Sequence, residues 1–158
     1  MPTEVLLLFA LILLNGVFAM SEIALVTARR ARLQMLVEQG DAGAAAALAL
    51  NDEPTRFLST VQVGITSIGI LSGIVGEAAF AEPLAVWMVG LGLATGTASV
   101  LATALVVIVV TYFSIVLGEL VPKRLGQIGA EAVARRVARP IAWLALAAKP
   151  FVRLLSAS

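Results

Sequence analysis

Two glutamates and two serines stand where an otherwise apolar sequence offers them no partner in their own segment. Glu22 follows Ser21 inside one apolar run, Ser67 follows Thr66 inside a second, and Glu119 follows Gly118 at the end of a third. None of these runs contains a lysine or an arginine. A charged side chain in hydrocarbon costs roughly 3 kcal/mol on insertion scales, so each acid requires compensation. Carboxylate and hydroxyl oxygens without nitrogen or sulfur ligands form the donor set of a hard cation: Mg²⁺, Ca²⁺, Mn²⁺ or Na⁺. Histidine and cysteine are both absent. That excludes a Ser-His-Asp triad, cysteine nucleophiles, disulfides and His- or Cys-ligated metals. No credible nucleophile–base pair remains, and the chain is not expected to be an enzyme.

Backbone oxygens extend the donor set. Each acid or serine lies beside a motif that loosens a helix: Asn15-Gly16, Gly64-Ile-Thr-Ser67, and Gly118-Glu-Leu-Val-Pro122. Pro122 has no N–H and leaves the carbonyl of Gly118 without its usual helical partner. Within a membrane such an oxygen needs a protein group, water or an ion. Gly69-Ile-Leu-Ser-Gly73 is a small-xxx-small pattern suited to close helix packing. Plainer readings exist for each residue. Glu22 can pair with Arg29 or Arg30, Glu119 with Lys123 one turn on, and a membrane serine with the carbonyl four residues earlier. Taken as a set at one depth, the residues favour a cation site.

The elements that position them are membrane helices. Hydrophobic residues make up 60% of the 158 and charged residues 13%, against roughly 45–50% and about 25% in soluble domains. A chain this short cannot bury so much apolar surface in water, so an integral membrane protein is expected. All 11 basic residues fall in two blocks, Arg29 to Arg56 and Lys123 to Arg153. Basic residues flanking membrane spans mark the cytoplasmic side. The reading is therefore an all-α membrane protein with three crossings, at about 5–27, 57–80 and 97–120, its N-terminus outside and its C-terminus cytoplasmic. The first run carries its positive charge after the apolar stretch and Glu4 before it, which is a retained helix rather than a cleaved signal peptide. The acidic connection with Glu77, Glu82 and Pro83 is expected outside. Residues 84–96 are too short to span and rich in glycine. They leave open a re-entrant hairpin, an interfacial segment or a loop helix.

Two cytoplasmic pieces complete the chain, at about 29–52 and 130–155. Arg29, Arg30 and Arg32 open the first, which stops near Gly40, and Asp41 is placed to cap a following alanine-rich helix. In the second, Arg135, Arg136 and Arg139 share one side of a helix, opposite Val133, Val137 and Ile141. Pro140 is expected to start a new helix. A basic amphipathic helix after a crossing lies at the membrane interface near anionic lipid. The net charge of +1 gives no sign of a nucleic-acid partner.

These stretches resemble the transmembrane domain of the CNNM/CorC family, the cyclin M-like magnesium transporters. The likeness rests on residues 15–25 (NGVFAMSEIAL), Arg29 to Leu33, residues 57–66 (FLSTVQVGIT) and residues 117–123 (LGELVPK), in this order and spacing. It implies a homodimer in the cell membrane that exports Mg²⁺, driven by Na⁺. It further implies Ser21, Ser67 and Glu119 as side-chain ligands, with carbonyls near Phe18, Gly64 or Gly118. Glu22, Asn15 and Thr66 would be neighbouring or Na⁺-linked groups. Family members continue into a cytoplasmic CBS-domain pair; this sequence stops at Ser158, as expected of an isolated membrane domain. The alternative function is a membrane anchor and dimerisation platform without transport.

Overall fold

The first apolar run forms one helix, α1 (Pro2–Thr27), in a computed structural model that describes residues 2–157. Its buried face holds Ile12, Asn15, Gly16, Ala19 and Ser21, whereas Leu6, Phe9 and Leu13 point outward. Leu6 is 71% exposed and Asn15 only 7%. Apolar residues outside and polar ones inside suit a hydrocarbon solvent rather than water. Among the described residues, three helical stretches are long and apolar enough to cross a membrane: Pro2–Thr27, Pro54–Gly90 and Thr95–Ile128.

The second crossing is longer than its sequence suggests. Helix α4 (Pro54–Gly90) runs for 37 residues, about 56 Å at 1.5 Å per residue, against a hydrocarbon core of about 30 Å. It passes through Glu77, Glu82 and Pro83 without a break, so the acidic segment expected as a loop is helical. The open question of residues 84–96 closes the same way. Residues 84–90 finish α4, a short turn follows, and α5 (Thr95–Ile115) returns alongside. Gly92 has a φ of +105°, a left-handed conformation that glycine adopts without a Cβ clash. Ala98 and Ala102 pack against Met88 to hold the two ends of the hairpin together.

The third crossing likewise outruns the expected 97–120. Helix α5 passes into a π-helical turn (Val116–Leu120) and then α6 (Val121–Ile128), giving one rod from 95 to 128. At the basic end, α2 (Arg30–Glu38) and α3 (Ala42–Asp52) are joined by Gly40, whose φ is +88°. Asp41 caps α3 as expected, accepting from the Ala44 amide at 3.0 Å.

Helix α7 (Ala130–Ala157) is continuous through Pro140 and Pro150. Pro140 therefore does not start a new helix. A proline deletes one intrahelical bond, but this one sits on the exposed face among good helix formers. The buried stripe is Ala130, Ala134, Ala138, Ile141 and Ala145; Val133 and Val137 flank it, half-buried. Small residues at this spacing let α7 approach α3, where a Cβ on Gly43 would run into the Arg135 carbonyl oxygen. Leu25, Leu33, Ala44, Phe57, Val61 and Ala134 share one core that locks α2, α3 and α7 onto the inner ends of α1 and α4. The largest core is thus a collar at the basic end, directly below the polar residues.

Candidate functional site

Helix α1 meets the π turn so closely that only glycine fits at several points. A Cβ on Gly16 would lie 2.9 Å from Cγ of Pro122, and one on Gly126 would lie 2.7 Å from the Met20 carbonyl oxygen. A Cβ on Gly118 would lie 3.2 Å from Asn15 Nδ2 and 3.3 Å from the Ile12 carbonyl oxygen. In α-helical register the amide facing the Gly118 carbonyl would be that of residue 122, a proline. Asn15 supplies the missing donor, its Nδ2 donating to the Gly118 oxygen at 3.0 Å. That bond fixes the amide orientation, so Asn15 Oδ1 must face elsewhere. It is buried and has no hydrogen-bond partner among the described residues, and the same holds for Ser114 Oγ.

Both residues line a cavity of about 180 Å³ between α1, α4 and α5, together with Thr111, Glu119, Gly69 and Gly73. At about 30 Å³ per water it has room for a cation with several waters. Its polar lining is one amide oxygen, two hydroxyls and one carboxylate, all hard donors. No group of three His, Cys, Asp or Glu residues is close enough to hold a metal among the described residues. The site is therefore weakly charged, built from neutral oxygens around a single acid.

Glu119 also faces a cation of the chain itself. Lys123 Nζ lies 3.2 Å from Glu119 Oε1 and 3.7 Å from Glu22 Oε2. Glu22 is on α1, Glu119 in the π turn and Lys123 on α6, so one ammonium ties together two elements. Towards the hairpin tip, a second cavity of about 460 Å³ has Glu77, Glu82, Thr95, Ser99 and Thr103 in its lining.

The structure divides the expected ligands. Ser21 is fully buried, but its hydroxyl donates to the Val17 carbonyl at 2.6 Å, four residues earlier. Ser67 and Thr66 lie on the exposed face of α4. Neither serine lines the cavity that Glu119 lines, so the set Ser21, Ser67 and Glu119 is not assembled. Phe18 and Gly64 sit inside unbroken helices, where carbonyls accept from the amide four residues on; the Phe18 ring packs over Gly64 at 3.5 Å from its ideal Cβ position. The Gly118 carbonyl is taken by Asn15. Glu22 pairs with Lys123 and not with Arg29 or Arg30.

Gly69 and Gly73, expected to pack helices between or within subunits, meet no other helix of this chain. A Cβ on either would meet nothing within 4 Å, so they open the cavity wall instead of packing helices within the chain. Gly76 does pack, with Val110 Cγ2 2.7 Å from its ideal Cβ position. Sequence reasoning missed Thr111 and Ser114. Their spacing to Gly118, three and then four residues, places them on one helical face, and that periodicity was the available signal.

The basic residues form the collar's outer face. Arg30 pairs with Asp52, and Arg135 with Asp41. The Ala44 amide, with Arg135 beside it, holds the Asp41 carboxyl below its ordinary value. The Arg29 amide donates to Glu131 at 3.3 Å. Arg32, Arg136 and Arg139 are exposed.

Comparison with known proteins agrees with this architecture. The family described as the cyclin M transmembrane N-terminal domain matches residues 6–158. The chain is 44% identical over 155 residues to the UPF0053 protein sll0260 of Synechocystis, covering 98% of this chain and 35% of that protein. It is 33% identical over 152 residues to the polyamine export protein of Escherichia coli K12, covering 96% and 34%. Against the UPF0053 protein YugS of Bacillus subtilis it is 31% identical over 155 residues, covering 98% and 36%. The chain spans about a third of the length of these relatives. With three membrane-spanning helices and this match over nearly its whole length, the chain is a multi-pass membrane protein of the cyclin M transmembrane-domain family.

Proposed function

We propose that this domain carries a cation across the membrane, with Mg²⁺ as the cargo and Na⁺ as the coupling ion, and that it performs no covalent chemistry. The observation that carries the reading is the buried Asn15 Oδ1, held without a partner in a cavity it shares with Ser114, Thr111 and Glu119. A buried acceptor with no donor costs about 1–3 kcal/mol, and a cation or its bound water removes that cost. Mg²⁺ dehydrates reluctantly and keeps several waters, which matches a cavity wider than a bare ion. The cavity near the hairpin tip has two acids and three hydroxyls in its lining. A second copy of the chain against the face bearing Gly69 and Gly73 would complete a homodimer.

The test is flux in proteoliposomes under an imposed Na⁺ gradient. Glu119→Ala and Asn15→Leu are expected to abolish Mg²⁺ movement while the protein stays folded. Wild-type flux in both variants would refute the site, and the anchor-platform reading predicts no flux in any variant. A second cargo class has its own support. An alkylammonium, that of Lys123, already sits against both carboxylates, and polyamines present the same group; proteins named for polyamine export are among the relatives. Competition of a linear diamine with Mg²⁺ separates the two, because only a shared site gives mutual inhibition.

A further inference from the structure

Two carboxylates and one ammonium do not balance. Glu22 and Glu119 contribute two negative charges and Lys123 one positive, leaving the cluster at −1. No other basic side chain pairs with either acid among the described residues: Arg30 engages Asp52, Arg135 engages Asp41 and Arg56 engages Glu53. The cluster is only partly wet, with side-chain exposures of 20% for Glu22, 36% for Glu119 and 33% for Lys123. Residual charge in such a place carries a real electrostatic cost. Two arrangements bring the cluster to zero. One adds a monovalent cation and keeps the lysine in place. The other admits a divalent cation and expels the lysine, because Lys123 and a divalent cation together would leave +1.

We propose that Lys123 is a tethered counter-cation that the divalent cargo displaces, and that its two positions make monovalent and divalent occupancy mutually exclusive. This rests on the cation-carrier reading above. Lys123 is suited to the role by its flexible four-carbon stem, which lets the ammonium reach the water-facing basic end without moving α6. Glu119 links the two halves of the device, since its residue lines the oxygen-walled cavity while its Oε1 holds the lysine. Exchange then follows from charge alone: Na⁺ joins the lysine-bound state, and Mg²⁺ replaces it.

The test uses the intact chain in nanodiscs, with Mg²⁺ binding followed by calorimetry at several Na⁺ concentrations. Removing the competitor in Lys123→Met is expected to tighten Mg²⁺ binding by roughly tenfold or more, while Lys123→Arg stays close to wild type. The dependence on Na⁺ also changes. One Na⁺ neutralises the wild-type cluster and two are needed without the lysine, so the log–log slope of apparent Kd against Na⁺ rises from about 1 toward about 2. A purely structural lysine would leave that slope unchanged.

A wild-type measurement needs no variant. The chain has two lysines, Lys123 and Lys149, and acetylation of Lys123 should speed up several-fold on adding Mg²⁺ while Lys149 serves as the internal reference. Unchanged or slower labelling of Lys123, or equal or weaker Mg²⁺ binding in a folded Lys123→Met protein, overturns the proposal. If Glu119→Gln still loses Mg²⁺ in that case, the carrier reading stands without it. If the wild type binds no Mg²⁺ at all, both fall.

Discussion

The bond from Asn15 to the Gly118 carbonyl makes a quantitative prediction that involves no ion. Asn15→Leu keeps the branched outline of the side chain and removes the donor, leaving a buried carbonyl unpaired. With Asn15 only 7% exposed and Gly118 buried, the expected cost is about 1–3 kcal/mol, or about 5- to 150-fold in the folded-to-unfolded ratio. Pro122→Ala supplies the amide that α-helical register lacks, giving Gly118 an intrahelical donor. The loss in Asn15→Leu should therefore shrink in the Pro122→Ala background. Pro122→Ala also empties space over Gly16, whose ideal Cβ position lies 2.9 Å from the proline ring, but a double-mutant cycle cancels that term. The assay is reversible unfolding in mixed micelles for the four proteins, with a coupling energy of about 1–2 kcal/mol expected. Strict additivity, within about 0.3 kcal/mol, would mean that Asn15 does not stand in for the missing amide.

Helix packing and acid sensitivity yield further tests. Gly126→Ala places a Cβ 2.5 Å from Ile23 Cγ2 and 2.7 Å from a carbonyl oxygen of α1, so it should destabilise by about 1–3 kcal/mol in the same unfolding assay. Gly69→Ala meets nothing within 4 Å and should leave monomer stability within about 0.5 kcal/mol; a change in dimer fraction by cross-linking would identify that face as an interface. Asp41 has a carboxyl below its ordinary value of 3.8 in the folded chain. A depressed folded pKa gives stability that is present above the unfolded value and lost as pH falls through the folded one. Acid unfolding of the wild type should therefore include a contribution below about pH 4 that Asp41→Asn lacks, read as a flatter stability curve between pH 4 and 2.

The membrane architecture was legible because its signals are local and strong. Apolar length, the two basic blocks and the Asp41 cap each involve a few adjacent residues, and each reappears in the structure. Element ends were less legible. Glu82-Pro83 and Arg139-Pro140 read as breaks, yet α4 and α7 run through both; a proline removes one bond, while the flanking alanines and leucines keep the helical geometry. The site was half legible. Glu22, Glu119 and the Gly118 carbonyl were recognised as polar groups in need of partners, and Asn15 only as part of a helix-loosening pair. Who partners whom depends on the rotation of three helices about their axes, which sequence leaves free. Ser67 consequently lies on the exposed face of α4 and away from the cavity, whereas Ser114, half-buried, and Thr111, exposed, both line it.

For the last part of the third crossing, that bearing is set by the π turn. One extra residue per turn shifts everything beyond it by about 100° relative to an unbroken α-helix. Without the shift, Glu119 and Lys123 would hold different bearings toward α1, and the glycines at 16, 118 and 126 would no longer face the contact they relieve. The turn spoils a local hydrogen-bonding register in the least forgiving solvent, and α1 answers with one amide aimed at one carbonyl. A distortion kept by a partner helix is a feature expected of a functional site rather than of a packing accident. If the proposed cation binds there, it draws on Asn15 and Glu119, the groups that tie the π turn to α1, so the first rearrangement is expected at that turn.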